Sequence, residues 1–104
     1  MTPQTYKVSQ SDTQHGEHGE HHLIRGQTGQ MRLWHREEPD PAKPESVNDY
    51  ETLGYVIEGR AELIVNGQTI SLAPGDSYCV PSGASHTYRI AETLTAVEVI
   101  TPGK

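Results

Sequence analysis

The stretch GDSYCVPSGASH, Gly75 to His86, decides how the rest of the chain is read. Ser77 to Val80 reads as a short strand after a turn at Pro74, Gly75 and Asp76. Pro81 fixes φ and Gly83 tolerates a backbone angle that other residues resist, so together they set the entry angle of the next strand. That strand opens on His86. At a period of two, His86, Tyr88 and Ile90 share one face, and Ile90 marks that face as the interior. The histidine is therefore expected to point inward. Two roles are open to it there. Its ring nitrogens are satisfied by a tyrosine or a backbone carbonyl, or it lines a pocket as a ligand or an acid–base group near neutral pH.

Working outward, the neighbouring segments also read as strands and turns. Upstream, TLGYVIEG (Thr52 to Gly59) is apolar on both faces, and AELIV (Ala61 to Val65) runs into Asn66-Gly67 and then QTISL. Asn-Gly supplies the two positive φ angles of a type I′ turn, so this is a hairpin. Downstream, His86 to Ile90 and Leu94 to Ile100 give two more strands. Earlier in the chain, Met31, Leu33 and His35 alternate with Arg32, Trp34 and Arg36. The face of Met31 and Leu33 is taken as inward, which would put His35 inside and Trp34 outside as a dimer contact. Between these regions EEPDPAKPESVND, residues 37–49, carries three prolines that exclude a helix, and reads as a long loop. Short strands with turn chemistry between them predict an all-β sandwich or barrel.

The chain has 104 residues and no Phe, and 33% of them are hydrophobic. That is one domain with one compact core, drawn from Val, Ile, Leu and Tyr. Residues 1–25 have few large apolar groups and read as a flexible, histidine-rich arm, leaving 26–104 as the barrel domain. A net charge of −6 argues against nucleic acid and anionic membranes as partners. No signal-like segment and no apolar run of membrane-spanning length occurs, which leaves a cytoplasmic protein as the expectation. The single cysteine, Cys79, reads as a buried small hydrophobe. Gly26 and Gly29 lack the spacing of a phosphate-cradling loop, and no Ser-His-acid order can be assigned.

With these residues in view, the chain resembles the cupin superfamily of antiparallel jelly-roll barrels. The second cupin motif, G-x5-P-x-G-x2-H-x3-N, is matched by Gly75, Pro81, Gly83 and His86, with Ile90 where the family has Asn. GYVIEGRAEL, Gly54 to Leu63, is similar to the strand that closes the first motif, with Gly59 as its terminal glycine. The resemblance implies an interior site where two first-motif histidines, a Glu or Gln and the second-motif histidine hold iron, manganese, nickel or zinc. Counted back from Gly59, the family's Glu position falls on Thr52, with Glu51 one step earlier. The two histidine positions fall on Ser46 and Asn48, or on Glu45 and Val47. No histidine lies between residues 36 and 85, so the usual three-histidine set is missing.

A rebuilt centre would have to draw on His86, His35 and Glu51, two imidazoles and a carboxylate of the kind that suits iron or manganese. Strand parity opposes it, since Glu51 and Thr52 face opposite sides. Without a metal, His35, Glu51, Thr52, His86 and Tyr88 are expected to line a pocket for a small molecule. Separately, HGEHGEHH places His15, His18, His21 and His22 in a weak chelating tract, whose glycines make ordering around an ion entropically costly. Three functions follow: binding of a small molecule in the barrel, a metal-dependent oxygenase, isomerase or lyase, or metal handling by the tract. A homodimer, as cupins often form through their sheets, is the expected partner arrangement.

Overall fold

The computed structural model describes residues 4–102. Among these residues a 3-10 turn at Gln10–Asp12 is followed by seven strands: β1 (Gln14–His15), β2 (His21–Arg25), β3 (Gln30–Glu37), β4 (Glu51–Val65), β5 (Gln68–Leu72), β6 (Ser77–Val80) and β7 (His86–Thr101). Every pairing is antiparallel, in the order β1-β2-β3-β7-β4-β5, with β6 beside β4. The architecture is an all-β jelly roll.

Two long strands carry the fold. β4 and β7 pair along almost their full length, with register shifts between Val56 and Ala61. At the centre of that bend Gly59 adopts φ +88, and any Cβ there would strike the carbonyl of Thr93 on β7. The bend folds one sheet into two layers. The first half of β4 lies between β6 and the end of β7, and its second half lies between β5 and the start of β7. Between the layers pack Val56, Ala61, Leu63, Leu72, Val80, Ala84, Ile90 and Leu94, the core of the molecule. The β4–β5 hairpin turns on Asn66 and Gly67 at φ 48 and 78, the two positive angles of a type I′ turn.

Alternation along β4 is strict up to the bend. Thr52, Gly54 and Val56 are buried, while Leu53, Tyr55 and Ile57 are exposed on the outer face. Because the register pairs Thr52 with Ile100, Gly54 with Glu98 and Val56 with Ala96, those β7 residues face inward too. The same register carries across to β3, where Arg32 pairs with Glu98 and Trp34 with Ala96. Arg32 and Trp34 are therefore the interior residues of β3, and Met31, Leu33 and His35 lie on the outer face. This reverses the inward face expected for β3 and removes Trp34 as a dimer contact. Leu33 is nevertheless buried, because β2 packs beside β3 and places His21 across from it.

Two further expectations are corrected. The segment read as a flexible arm contributes β1 and β2, and β2 is hydrogen-bonded to β3, so the sheet begins well before residue 26; the arm's residues 1–3 lie outside the described residues. Backbone pairing needs no apolar side chains, which is why composition concealed it. The proline-rich stretch is the long loop expected, with no helix or strand between β3 and β4, and it is tied to β7 at two isolated bridges. Asp40 exchanges both backbone hydrogen bonds with Ile90, and Ser46 does so with His86. Pro41 and Pro44 fall between those contacts and Pro39 just before the first, at an edge where a missing N–H is tolerated. Cys79 is exposed, since it pairs with Leu53 on the outer side of β4. No helix among the described residues is long and apolar enough to cross a membrane.

Candidate functional site

The interior between β3, β4, β6 and β7 is organised by a carboxylate. Glu98 is only 2% exposed and points from β7 into the space between the layers. Arg32 donates to its Oε1 from Nε at 2.7 Å, and the Trp34 indole donates to the same oxygen at 2.8 Å. The Tyr78 hydroxyl donates to Oε2 at 2.6 Å. Arg32 also reaches the Tyr50 hydroxyl at 3.4 Å and lies 5.4 Å from the centre of the Trp34 ring. Gly54 makes the arrangement possible: a Cβ there would overlap the ring of Tyr78, so the glycine lets the tyrosine cross β4 to reach Glu98.

The electrostatics follow from this burial. Desolvation, then the Glu98 carboxylate, push the Tyr78 hydroxyl far above its ordinary range, so it stays protonated and remains a donor. Tyr88 is raised well up for the same two reasons. Burial alone would lower Arg32, but Glu98 and the Tyr50 hydroxyl outweigh it and shift the guanidinium upward. Every buried side-chain nitrogen and oxygen among the described residues has a hydrogen-bond partner.

His86 and Tyr88 close the other layer. His86 is 7% exposed, on the inward face with Tyr88 and Ile90. Its Nδ1 lies 3.0 Å from the Ala84 carbonyl, an acceptor, so in the neutral ring Nδ1 carries the proton and Nε2 the lone pair. The His86 ring lies 6.1 Å from Tyr88, and Tyr88 lies 6.3 Å from Tyr78, which joins the histidine to the Glu98 cluster through aromatic edges. Thr52 faces the same interior and is fully buried.

The composite metal centre does not assemble. His35 lies on the outer face of β3, and Glu51 lies on the outer face of β4, where its carboxylate is 3.9 Å from Cys79 Sγ. His86 is on the opposite side of the sheet from both. No bulge interrupts β4 between Thr52 and Val56, so parity holds and Glu51 cannot turn inward. His35 and Glu51 are therefore not pocket residues. Although Cys79 is exposed, partial desolvation by its neighbours, then the Glu51 carboxylate, raise its thiol, which disfavours the nucleophilic thiolate.

The histidine tract is divided in the same way. His21 and His15 face outward together, whereas His22 pairs with Arg32 and turns to the other face, 3.9 Å from Glu20. His18 sits in the turn between β1 and β2, beside Glu17. Desolvation, then His15 and His35, lower the His21 pKa, with Glu37 opposing, so its ring is held neutral.

Residues 36–101, more than half of the chain, match the family model described as a cupin domain. The chain belongs to the cupin family. No curated protein sequence matches it. Among solved structures, this cupin is similar to an RmlC-like cupin from Shewanella frigidimarina NCIMB 400, with a TM-score of 0.81 at 17% identity over 98% of this chain and 95% of that one. KdgF from Halomonas sp. gives a TM-score of 0.78 at 17% identity, covering 98% and 96%. Pac13, a nucleoside dehydratase of Streptomyces, gives 0.78 at 16% identity, covering 96% and 84%. At these identities the likeness concerns the fold.

The residues of this cupin do not fit the divalent ion that the family implies. At the family's ligand positions stand Ser46 and Asn48, or Glu45 and Val47, with Thr52. Ser46 is bridged through its backbone to His86, and the Asn48 carbonyl accepts from Gly83. That leaves one imidazole with hydroxyl and amide neighbours, or with a carboxylate that accepts a hydrogen bond from Ser85 on the exposed rim. Among the described residues no group of three or more His, Cys, Asp or Glu is placed to hold an ion. In its stead is the Glu98 cluster, which the sequence reading missed. Its signal was a single carboxylate inside LTAVEVI, Leu94 to Ile100, a run apolar on both faces apart from Thr95.

Proposed function

We propose that this cupin binds a small polar molecule in the barrel interior, recognised by His86 and Tyr88 from one layer and by the Tyr78–Glu98–Arg32 group from the other. The observation that supports the reading is a charged and hydrogen-bonding cluster where stability alone would place apolar side chains. Buried ion pairs seldom add stability over a well-packed hydrophobic set of the same volume. His86 offers Nε2 as an acceptor, and a ligand hydroxyl is the natural donor for it. An acid–base enzyme is the second reading, favoured by that same lone pair beside a protonated tyrosine. The protein works in the cytoplasm, where Cys79 stays reduced.

Trp34 is the chain's single tryptophan and is bonded to Glu98, so its fluorescence reports on the cluster. Uridine, which is bound in a Pac13 structure, is the first probe, followed by small sugar acids and hydroxy acids. A saturable change in Trp34 emission is expected for one of these classes. His86→Ala should weaken it by about tenfold, the equivalent of about 1.4 kcal/mol for one lost hydrogen bond. Equal binding by His86→Ala, or no response to any probe, would remove the reading. Consumption of the bound probe would favour the enzyme.

We also propose that two copies pair through the outer face of the sheet. Leu53, Tyr55 and Ile57 are 46%, 48% and 47% exposed, and Met31, Val97 and Val99 flank them across a shallow groove. Apolar groups this contiguous on a sheet face mark an association surface. Sedimentation should show a dimer that Leu53→Glu with Ile57→Glu converts to a folded monomer; a monomeric unsubstituted protein would refute the pairing.

A further inference from the structure

Strand register gathers three histidines that are distant in the sequence. His15 on β1 is directly opposite His21 on β2, and His21 is directly opposite Leu33 on β3. His35, two residues beyond Leu33, shares that face and lies diagonal to His21. The ring centres of His15 and His21 are 4.3 Å apart, and those of His21 and His35 are 6.0 Å apart. A tetrahedral ion with imidazole ligands holds each pair of rings about 5 Å apart, given metal–nitrogen bonds of about 2.0–2.1 Å, and the two pairs that share His21 are near that separation.

The tautomer of the central ring is determined by its partner. Thr13 gives its hydroxyl proton to the Gln10 carbonyl at 2.7 Å, and its Oγ1 lies 2.8 Å from His21 Nδ1. A hydroxyl has one proton to give, so here it accepts, Nδ1 donates, and Nε2 of His21 retains its lone pair. A ligating histidine whose other nitrogen donates to an oxygen is the usual arrangement at metal centres, where the second bond fixes ring orientation.

We propose that His15, His21 and His35 form a surface site for a divalent transition ion of the zinc, nickel or copper type. Imidazole donors suit these three ions. As placed, the three rings do not converge on one point. His15 and His35 are exposed and rotate onto the ion, while His21 stays held by Thr13. Because the ligands stand on hydrogen-bonded strands, binding does not have to order a glycine-rich coil, the entropic objection to a flexible tract. The site is distinct from the barrel interior and does not depend on what binds there.

The test is calorimetric titration of the full, untagged chain with zinc, then nickel, then copper. One ion per chain is expected. Replacing His15, His21 or His35 by Ala should each weaken it at least about tenfold, a loss seen even when only the group behind a ligand is removed. The double variant His18→Ala, His22→Ala should bind as the unsubstituted chain does. In that unsubstituted chain, zinc should shift the ring-proton resonances of His15, His21 and His35 and leave those of His18 and His86 in place, a reading independent of any variant's folding. Loss of binding in the His18/His22 variant with His35→Ala unaffected would return the chelation to a linear tract. Absence of saturable binding of all three ions would overturn the site.

Discussion

Replacing Glu98 with Ala should destabilise the protein by about 3–5 kcal/mol, the range for removing one partner of a buried ion pair. Arg32 is 14% exposed at its side chain, and Glu98 is the acceptor that holds it. With the carboxylate gone, the guanidinium loses its counter-charge and keeps only the Tyr50 hydroxyl, while the Trp34 indole and the Tyr78 hydroxyl lose their acceptor. The deletion also opens a void between the layers. Glu98→Gln keeps one carbonyl acceptor and most of the volume, so it should lose less. The decisive comparison is Glu98→Leu with Arg32→Met, which removes both charges and so leaves no unpaired ion, although the Trp34 indole and the Tyr78 hydroxyl still lose their acceptor. That double variant should recover part of the stability in urea denaturation, the share owed to the unpaired guanidinium. If Glu98→Ala alone unfolds within about 1 kcal/mol of the parent, the typical effect of an ordinary substitution, the cluster is not held as described. Recovery of stability without recovery of ligand binding would separate the cluster's structural cost from its role in recognition.

How much of this was legible in the sequence depended on whether one local signal sufficed. Asn66-Gly67 fixes a hairpin by backbone chemistry alone, and both residues have the positive φ such a turn requires. Pro81, Gly83 and Ile90 likewise identify the barrel and the strand that His86 opens. On β3 local pattern was not enough, because both of its faces are rich in large side chains. Met31 and Leu33 join Leu53, Tyr55 and Val97 in an apolar outer face, while Trp34 and Arg32 turn inward. Hydrophobic alternation then has no preferred sign. What settles it is the partner opposite Arg32, namely Glu98, which is 66 residues away in the chain. His35 was misplaced by the same inversion, and the metal centre built on it failed with it. The histidine tract was misread for a different reason. Its glycines and charges carry little strand propensity, but β3 offers it an edge, and backbone pairing supplies what composition does not.

Gly59→Ala should be the most damaging small substitution in the chain. At φ +88 an alanine is strained by about 1–2 kcal/mol before it touches anything. Its Cβ would then meet the carbonyl of Thr93, and the carbonyl oxygen of Glu92 at 2.9 Å. These are backbone atoms of the facing strand, not the tip of a flexible side chain, so relief requires moving β7 away from β4. Overpacking of this kind costs about 1–3 kcal/mol in addition. Gly67→Ala is the control. It has a similar φ of +78 with nothing within 4 Å of its Cβ, so it should show the backbone strain alone. A larger loss at Gly59 than at Gly67 in thermal unfolding measures the contact; equal losses would mean the bend yields. The bend matters beyond stability, because it lays the His86–Tyr88 layer over the Glu98–Tyr78 layer. An opened bend should part Tyr88 from Tyr78 and alter Trp34 emission in the folded variant. The glycine that shapes the barrel thus also sets the distance between the two halves of its interior site.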